Sequence, residues 1–261
     1  MRFLKQTLKY IRYYFSSGKL HDVHSPFVYD LLGKVIYSNS TFYAFEQIED
    51  LRKSLLLNEN KLQITDLGAG SKILNLNERK ISDIAKHSAK QAKYGQLLFR
   101  FVNHFHPDTI LELGTSLGIS TLYLAMASQK SKVITIEGCP EIAAAAKNNF
   151  ERAGAKNIEQ VVGNFDDILP LILSKNPKCD FIFIDGNHRK EPTLKYFEQC
   201  LSVLSNDSII IFDDIHWSDE MEQAWEQIKA YPSVTITLDL FFIGIVFFRK
   251  EKNKEHFTIR F

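Results

Sequence analysis

Thr109-Ile-Leu-Glu-Leu-Gly-Thr-Ser-Leu-Gly-Ile-Ser-Thr-Leu-Tyr-Leu-Ala125 is the stretch that decides the fold. It opens as a short apolar run, Ile110-Leu111-Glu112-Leu113, bounded by Pro107 and Gly114. That is the pattern of a buried strand. Gly114-Thr-Ser-Leu-Gly118 then supplies a tight turn, and helical spacing runs from Ile119 to about Met126. Strand, glycine turn and helix in this order form the ligand-binding corner of a doubly wound α/β sheet. Glycines let the backbone turn sharply and approach a ligand closely, and the helix start offers free N–H groups.

The turn reads Gly-x-x-x-Gly, with Ser116 where a pyrophosphate binder has its second glycine. Glu112, two residues ahead of the first glycine, would repel a pyrophosphate and suit an ammonium group. The pair favours a cofactor with a cationic amino-acid end, such as S-adenosylmethionine, over a dinucleotide. The next apolar run, Ser131 to Glu137, ends on an acid. That acid lies about 20 residues past the turn, the place of a ribose-binding carboxylate in this architecture. A second glycine loop, Asp66-Leu-Gly-Ala-Gly70, has no strand ending in an acid at the needed distance. Residues 60–72 are expected to form a turn-rich element of an N-terminal cap.

The whole chain sets bounds on these readings. Its 261 residues are 45% hydrophobic and 24% charged, ordinary for a globular protein with a proper core. A formal net charge of +1 gives no global field to gather nucleic acid. Three cysteines, Cys139, Cys179 and Cys200, have no metal spacing and suit reduced thiols of a cytoplasmic protein. No apolar run approaches membrane-spanning length. Residues 3–15 place Phe3, Leu4, Leu8, Ile11, Tyr14 and Phe15 against Lys5, Lys9 and Arg12 at helical spacing. A basic amphipathic helix suits a membrane surface or RNA. The commoner meaning is a solvated polar face on a helix packed against its domain, and that is the expectation here.

Beyond this helix the spacing predicts helices over 27–35, 42–57 and 94–104, with His21 and His24 just ahead of the first of these, their role open. From residue 109 strands and helices alternate. Strands are expected at 109–113, 132–137, 158–162, 180–184 and 208–212, and helices at 140–153, 168–173, 192–204 and 218–230. Residues 233–240 and 243–249 close the chain as an antiparallel hairpin. Five parallel strands with crossover helices and this hairpin make a mixed sheet covered on both faces. Residues 1–90 are expected to be a mainly helical cap and 91–261 the cofactor-binding domain.

Ligands of such sheets bind beyond the carboxyl ends of the strands. Glu112, Glu137, Asn164, Asp185, Asp213 and Asp214 stand there, an acidic rim on a nearly neutral protein. Asp185 and the pair Asp213-Asp214 follow adjacent strands, so their oxygens, with water, would suit Mg²⁺ or another hard divalent ion. The alternative is that one aspartate caps a helix and another pairs with a base such as Arg189.

Lys93-Tyr-Gly-Gln-Leu-Leu through Ile110-Leu-Glu-Leu-Gly-Thr-Ser-Leu-Gly-Ile-Ser resembles the catechol O-methyltransferase-like branch of class I S-adenosylmethionine-dependent methyltransferases. The resemblance covers about residues 88–250. It implies a Rossmann-like seven-stranded sheet in the order 3-2-1-4-5-7-6. It also implies that Glu112, Gly114, Ser116, Gly118 and Ser120 hold the methionine end, that Glu137 binds ribose, and that Asn164 and Phe165 border adenine. Asp185, Asp213 and Asp214 fall on its three metal-ligand positions. Where relatives carry an aspartate or lysine as base, this chain has Asn187 and His188. His188 is a reasonable general base, with Asp185 beside it and His216 a second candidate.

The expected reaction is methyl transfer to a hydroxyl oxygen of a small molecule, assisted by Mg²⁺. Two alternatives stay open: O-methylation of a modified tRNA base, and a cofactor-binding scaffold without catalysis. Ile184-Asp185-Gly186-Asn187 lacks the Asp/Asn-Pro-Pro-Tyr/Phe loop of enzymes that methylate base amines. Oligomeric state is not legible.

Overall fold

Residues 2–64 and 78–261 are described in the computed structural model of the chain, so the Asp66–Gly70 loop lies outside the described residues. Contacts divide the chain into two compact units, Met1–Ser38 with Pro177–Phe261, and Asn39–Asn176. The N-terminal part of the first unit holds α1 (Arg2–Ser16) and α2 (Pro26–Leu31), which runs on into a turn of π-helix over Leu32–Ile36. Pro26 opens α2, where its missing N–H costs nothing.

In the unit Asn39–Asn176, α3 (Tyr43–Leu56) is followed by a hairpin of β1 (Lys61–Gln63) and β2 (Glu78–Lys80), then α4 (Ile81–His87) and α5 (Ala92–Phe105). The alternation follows: β3 (Thr109–Leu113), α6 (Ile119–Ala127), β4 (Lys132–Glu137), α7 (Pro140–Ala153), β5 (Ile158–Val162) and α8 (Phe165–Lys175). The strands lie parallel in the order β3-β4-β5, with Glu112 beside Thr135 and Glu137 beside Val162. Ile110, Leu111, Val133, Ile134 and Ile136 are buried in this layer. The α3 stripe of Phe45, Ile48, Leu51 and Leu55 is buried with Phe99, Leu122, Tyr123 and Phe150. α8 starts three residues earlier than the spacing predicts. Asn164 caps it by accepting from the Asp166 N–H, and Asp166 and Asp167 put negative charge on the first turn.

The C-terminal part of the other unit holds β6 (Phe181–Ile184), α9 (Lys190–Cys200), β7 (Ile209–Asp213), α10 (Asp219–Ala230), β8 (Ile236–Asp239), β9 (Ile243–Phe247) and β10 (Glu255–Thr258). The order is β6-β7-β9-β8-β10, with β6 parallel to β7 and the expected antiparallel hairpin of β8 and β9. Both runs of the expected order, 3-2-1 and 4-5-7-6, are thus present. Among the described residues the count is corrected from seven strands to eight, because β10 adds in parallel to β8. Glu255-His-Phe-Thr258 is short and alternately exposed, an edge strand whose composition gives little strand signal.

Helix α1 packs with an unexpected face. Its seat is made by Gln6, Lys9, Tyr10 and Tyr13. Gln6 Nε2 donates to the His216 carbonyl at 3.0 Å, Lys9 pairs with Asp219 and Glu222, and Tyr10 and Tyr13 lie against Phe241. The Tyr13 hydroxyl donates to the Ile259 carbonyl and accepts from the Phe261 N–H. The apolar residues Leu8, Ile11 and Phe15 stay exposed on the opposite side. No described helix is long and apolar enough to cross a membrane.

Candidate functional site

The cofactor candidates lie at the carboxyl ends of β3, β4 and β5. After β3 the backbone turns through Gly114 (φ +107°), Ser116 (φ +48°) and Gly118 (φ +82°). At Gly118 a Cβ would stand 2.4 Å from the Phe150 ring, so no side chain fits. Ser116 is the unusual residue, since a side chain in the left-handed region is strained. Its backbone is held in place, because the Ser116 N–H donates to Glu137 Oε2 at 2.8 Å. The other Glu137 oxygen accepts from the Cys139 N–H at 3.0 Å, and the Glu137 carbonyl accepts from Gly163 at 2.9 Å. One residue at the end of β4 therefore fastens three loops. Burial raises the Glu137 pKa, and the N–H groups of Cys139, Ser116 and Gly138 partly offset that rise.

Glu112 is fully buried at the root of the loop. Its Oε2 accepts from the hydroxyls of Thr121 and Thr135, the latter at 2.7 Å. Thr135 has only one hydroxyl proton, so the 2.6 Å contact with Thr115 is donated by Thr115. The chain Thr115 to Thr135 to Glu112 fixes the carboxylate's orientation. None of these threonines was singled out in the sequence. The available signal was Thr135, polar in an otherwise apolar strand and level with Glu112 once the strands are paired. Ser120 is buried in the first turn of α6, Asn164 caps α8, and Phe165 is the first residue of that helix. The buried Ser116 Oγ has no hydrogen-bond partner among the described residues. An orphaned buried hydroxyl on the residue whose N–H meets Glu137 is what a polar ligand would satisfy.

In the other unit, Asp185 follows β6 and Asp213 ends β7, and these parallel strands pair Ile184 with Phe212. A ligand atom from each of Asp185, His188 and Asp213 lies within 4.8 Å of the others. His188 Nε2 is 3.6 Å from Asp185 Oδ1, and Asp213 is 5% exposed. Asn187 makes the turn that brings His188 back. It sits at φ +53°, its Nδ2 donates to Tyr196 Oη at 3.1 Å, and its Oδ1 accepts from Arg189 Nε at 2.8 Å. Asparagine tolerates this conformation better than most residues, so position 187 has a structural reason for its identity. Two carboxylates and an imidazole form a donor set that fits a divalent ion, the imidazole extending the choice beyond Mg²⁺ to Mn²⁺ and Zn²⁺.

Asp214 is not in that triple. Its backbone is left-handed (φ +54°), its N–H donates to the Phe242 carbonyl at 2.6 Å, and its carbonyl accepts from Trp217 at 2.9 Å. His216 has both ring nitrogens engaged, Nδ1 with Glu222 at 2.9 Å and Nε2 with Asp239 at 2.8 Å, and it stacks on Phe241. Burial alone would lower its pKa, but the hydrogen bonds and charges of Asp239 and Glu222 outweigh that and raise it. A charged imidazole held between two carboxylates is a strut.

Residues 111–215 match the family described as "Methyltransferase domain". The chain is 36% identical over 131 residues to the catechol O-methyltransferase of Niastella koreensis. It is 33% identical over 129 residues to that of Mycobacterium tuberculosis. Each match covers 49% of this chain and 57% of the relative, so the chain spans just over half the length of these curated relatives. Among solved structures, the SAH-bound Podospora anserina methyltransferase PaMTH1 shares the fold. Its TM-score is 0.60 at 16% identity, covering 87% of this chain and 97% of that one. The resemblance read from the glycine turn therefore stands: the chain has the α/β fold of class I S-adenosylmethionine-dependent methyltransferases, and its central residues are similar to the catechol O-methyltransferase branch.

Proposed function

We propose that the chain is an S-adenosylmethionine-dependent O-methyltransferase acting on a hydroxyl of a small molecule, with a divalent ion assisting. The observation that carries this is the pair of carboxylates around one glycine turn. Glu112 is fixed by threonine hydroxyls at its root, and Glu137 grips the Ser116 N–H at its crest. In this reading Glu112 faces the methionine ammonium with Gly114, Ser116, Gly118 and Ser120 around it. Glu137 receives the ribose hydroxyls, and Asn164 and Phe165 border the adenine. The bound cofactor supplies a methyl group on a positively charged sulfur.

The reaction breaks that S–CH₃ bond and forms O–CH₃, and the acceptor's proton must leave. His188 takes it, its Nε2 standing 3.6 Å from Asp185 Oδ1. Asp185 and Asp213 are the proposed holders of the ion, Mg²⁺ or a softer divalent ion; Asp214, given that place by the resemblance, stands outside their cluster. When bound, the ion lowers the pKa of the acceptor hydroxyl. Residues 1–90 are the proposed cap, 91–261 the proposed cofactor domain. The three buried cysteines, none of them in a disulfide, suit a cytoplasmic setting.

Calorimetric titration with S-adenosylhomocysteine, in Mg²⁺ and in EDTA, tests this. Micromolar binding that Glu137→Ala abolishes is the expected result. Absence of binding in both conditions overturns the cofactor reading. Binding that is equal with and without the ion, together with catechol turnover insensitive to EDTA, overturns the metal assistance.

A further inference from the structure

The first helix is mounted inside out. A soluble amphipathic helix normally buries its apolar stripe and wets its polar face. In α1 the seated side carries Gln6, Lys9, Tyr10 and Tyr13, fastened to His216, Asp219, Glu222, Phe241 and Ile259. Leu8, Ile11 and Phe15, spaced three and four apart on the other side, are 58, 45 and 79% exposed. Three large apolar side chains in one row are a contiguous patch, and such patches mark interaction sites.

Charge identifies what the patch faces. Residues 1–20 contain five basic residues and no acid, whereas residues 21–261 contain 27 basic and 31 acidic residues. Lys5 and Arg12, seven apart, run along one edge of the stripe, and Lys5 keeps 60% of its side chain exposed while pairing with Asp219. On the other edge the Arg260 guanidinium sits 4.2 Å over the Tyr14 ring. An apolar row edged by cations and aromatic rings has the make-up of a helix lying in a membrane interface. Its apolar side chains enter the acyl boundary, and its cations meet anionic headgroups. A second copy of the chain fits less well, because pairing two such helices would bring the two basic segments together.

We propose that α1 docks this protein on the surface of an anionic lipid bilayer through Leu8, Ile11 and Phe15, with Arg12 and Lys5 on headgroup phosphates. The helix lies flat on the surface and does not span it. The proposal stands on the seat and charge of α1 and does not depend on the reaction catalysed.

Co-sedimentation of the full chain with vesicles tests it, using phosphatidylcholine alone and phosphatidylcholine mixed with phosphatidylserine. Binding is expected to rise with phosphatidylserine and fall with added salt. Arg12→Gln should weaken it about fivefold, the effect of one basic side chain near such a surface. The double variant Ile11→Asp/Phe15→Asp should return it to background. Both side chains are exposed, so thermal unfolding of that variant should match the parent and exclude a folding defect. Three results overturn the proposal. One is equal binding by parent and double variant. Another is binding indifferent to phosphatidylserine. The third is no vesicle binding together with a dimer, seen by sedimentation velocity, that the double variant disperses; a second copy then covers the stripe.

Discussion

Replacing Thr135 by valine keeps the shape of the β4 side chain and removes one hydroxyl. The hydroxyl is the middle of a buried relay: Thr135 donates to Glu112 at 2.7 Å and receives from Thr115 at 2.6 Å. Glu112 and Thr135 are wholly buried and Thr115 is 1% exposed, so water cannot replace what is lost. A hydrogen bond to a charged group contributes about 1.5–3 kcal/mol, and an orphaned buried hydroxyl costs about 1–3 kcal/mol. The smaller values of each sum to about 2.5 kcal/mol, which for a chain of this length is a fall in Tm of roughly 5–10 °C. Differential scanning fluorimetry measures it, with Thr135→Ser as the control that keeps the hydroxyl and loses a methyl. A valine variant melting within about 2 °C of the parent would refute the relay. So would a serine variant that falls as far as valine. Titration with S-adenosylhomocysteine on the same samples should show weakened binding for valine alone, because the relay aims Glu112.

Gly118→Ala meets both a left-handed backbone and the Phe150 ring at 2.4 Å. It should cost about 2–3 kcal/mol in urea unfolding, and a loss under about 0.5 kcal/mol would contradict the tight loop. Ser116→Gly should do the opposite to stability, gaining about 1 kcal/mol by relieving φ +48°, while weakening S-adenosylhomocysteine binding severalfold through loss of the orphaned Oγ. Unchanged affinity would remove Ser116 Oγ from the cofactor site. His216 has a raised pKa in the folded state. Its contribution to stability is therefore complete below its unfolded pKa of about 6.5 and is lost as pH rises through the folded value. As pH rises above about 6.5, urea midpoints of the parent should drop by more than those of His216→Gln, and parallel curves would refute the strut. Asp213→Asn should abolish calorimetric Mn²⁺ binding, and an unchanged isotherm would show that Asp185 and Asp213 are not the ion's seat.

The strand–turn–helix corner was legible because glycine, apolar length and helical period are local signals. Thr109–Leu113 and Ile119 appear where the sequence places them. The acids at the strand ends were legible for the same reason, since a strand's last residue is defined by where the apolar run stops. Asn164 as the cap of α8 was not, because capping competes with the loop reading of Gly163-Asn164-Phe165 until the backbone is seen. Asp214 and Asp213 look equivalent as neighbours in sequence, yet a left-handed turn at Asp214 separates their roles. The face of α1 was the deepest miss. Period locates a stripe but does not say which side of the helix meets the protein, and here tyrosines and ion pairs won the inner side.

The seat of α1 also sets an order of events during synthesis. Every described anchor of that helix, from the His216 carbonyl to the Ile259 carbonyl, lies some 200 residues or more downstream. At about 5–20 residues per second, the helix leaves the ribosome roughly 10–40 s before its dock exists. Throughout that interval its tyrosine and lysine side is as available as its apolar side. Helix α1 is among the elements that wait longest for their native partners, and chaperones that capture nascent chains should engage it early.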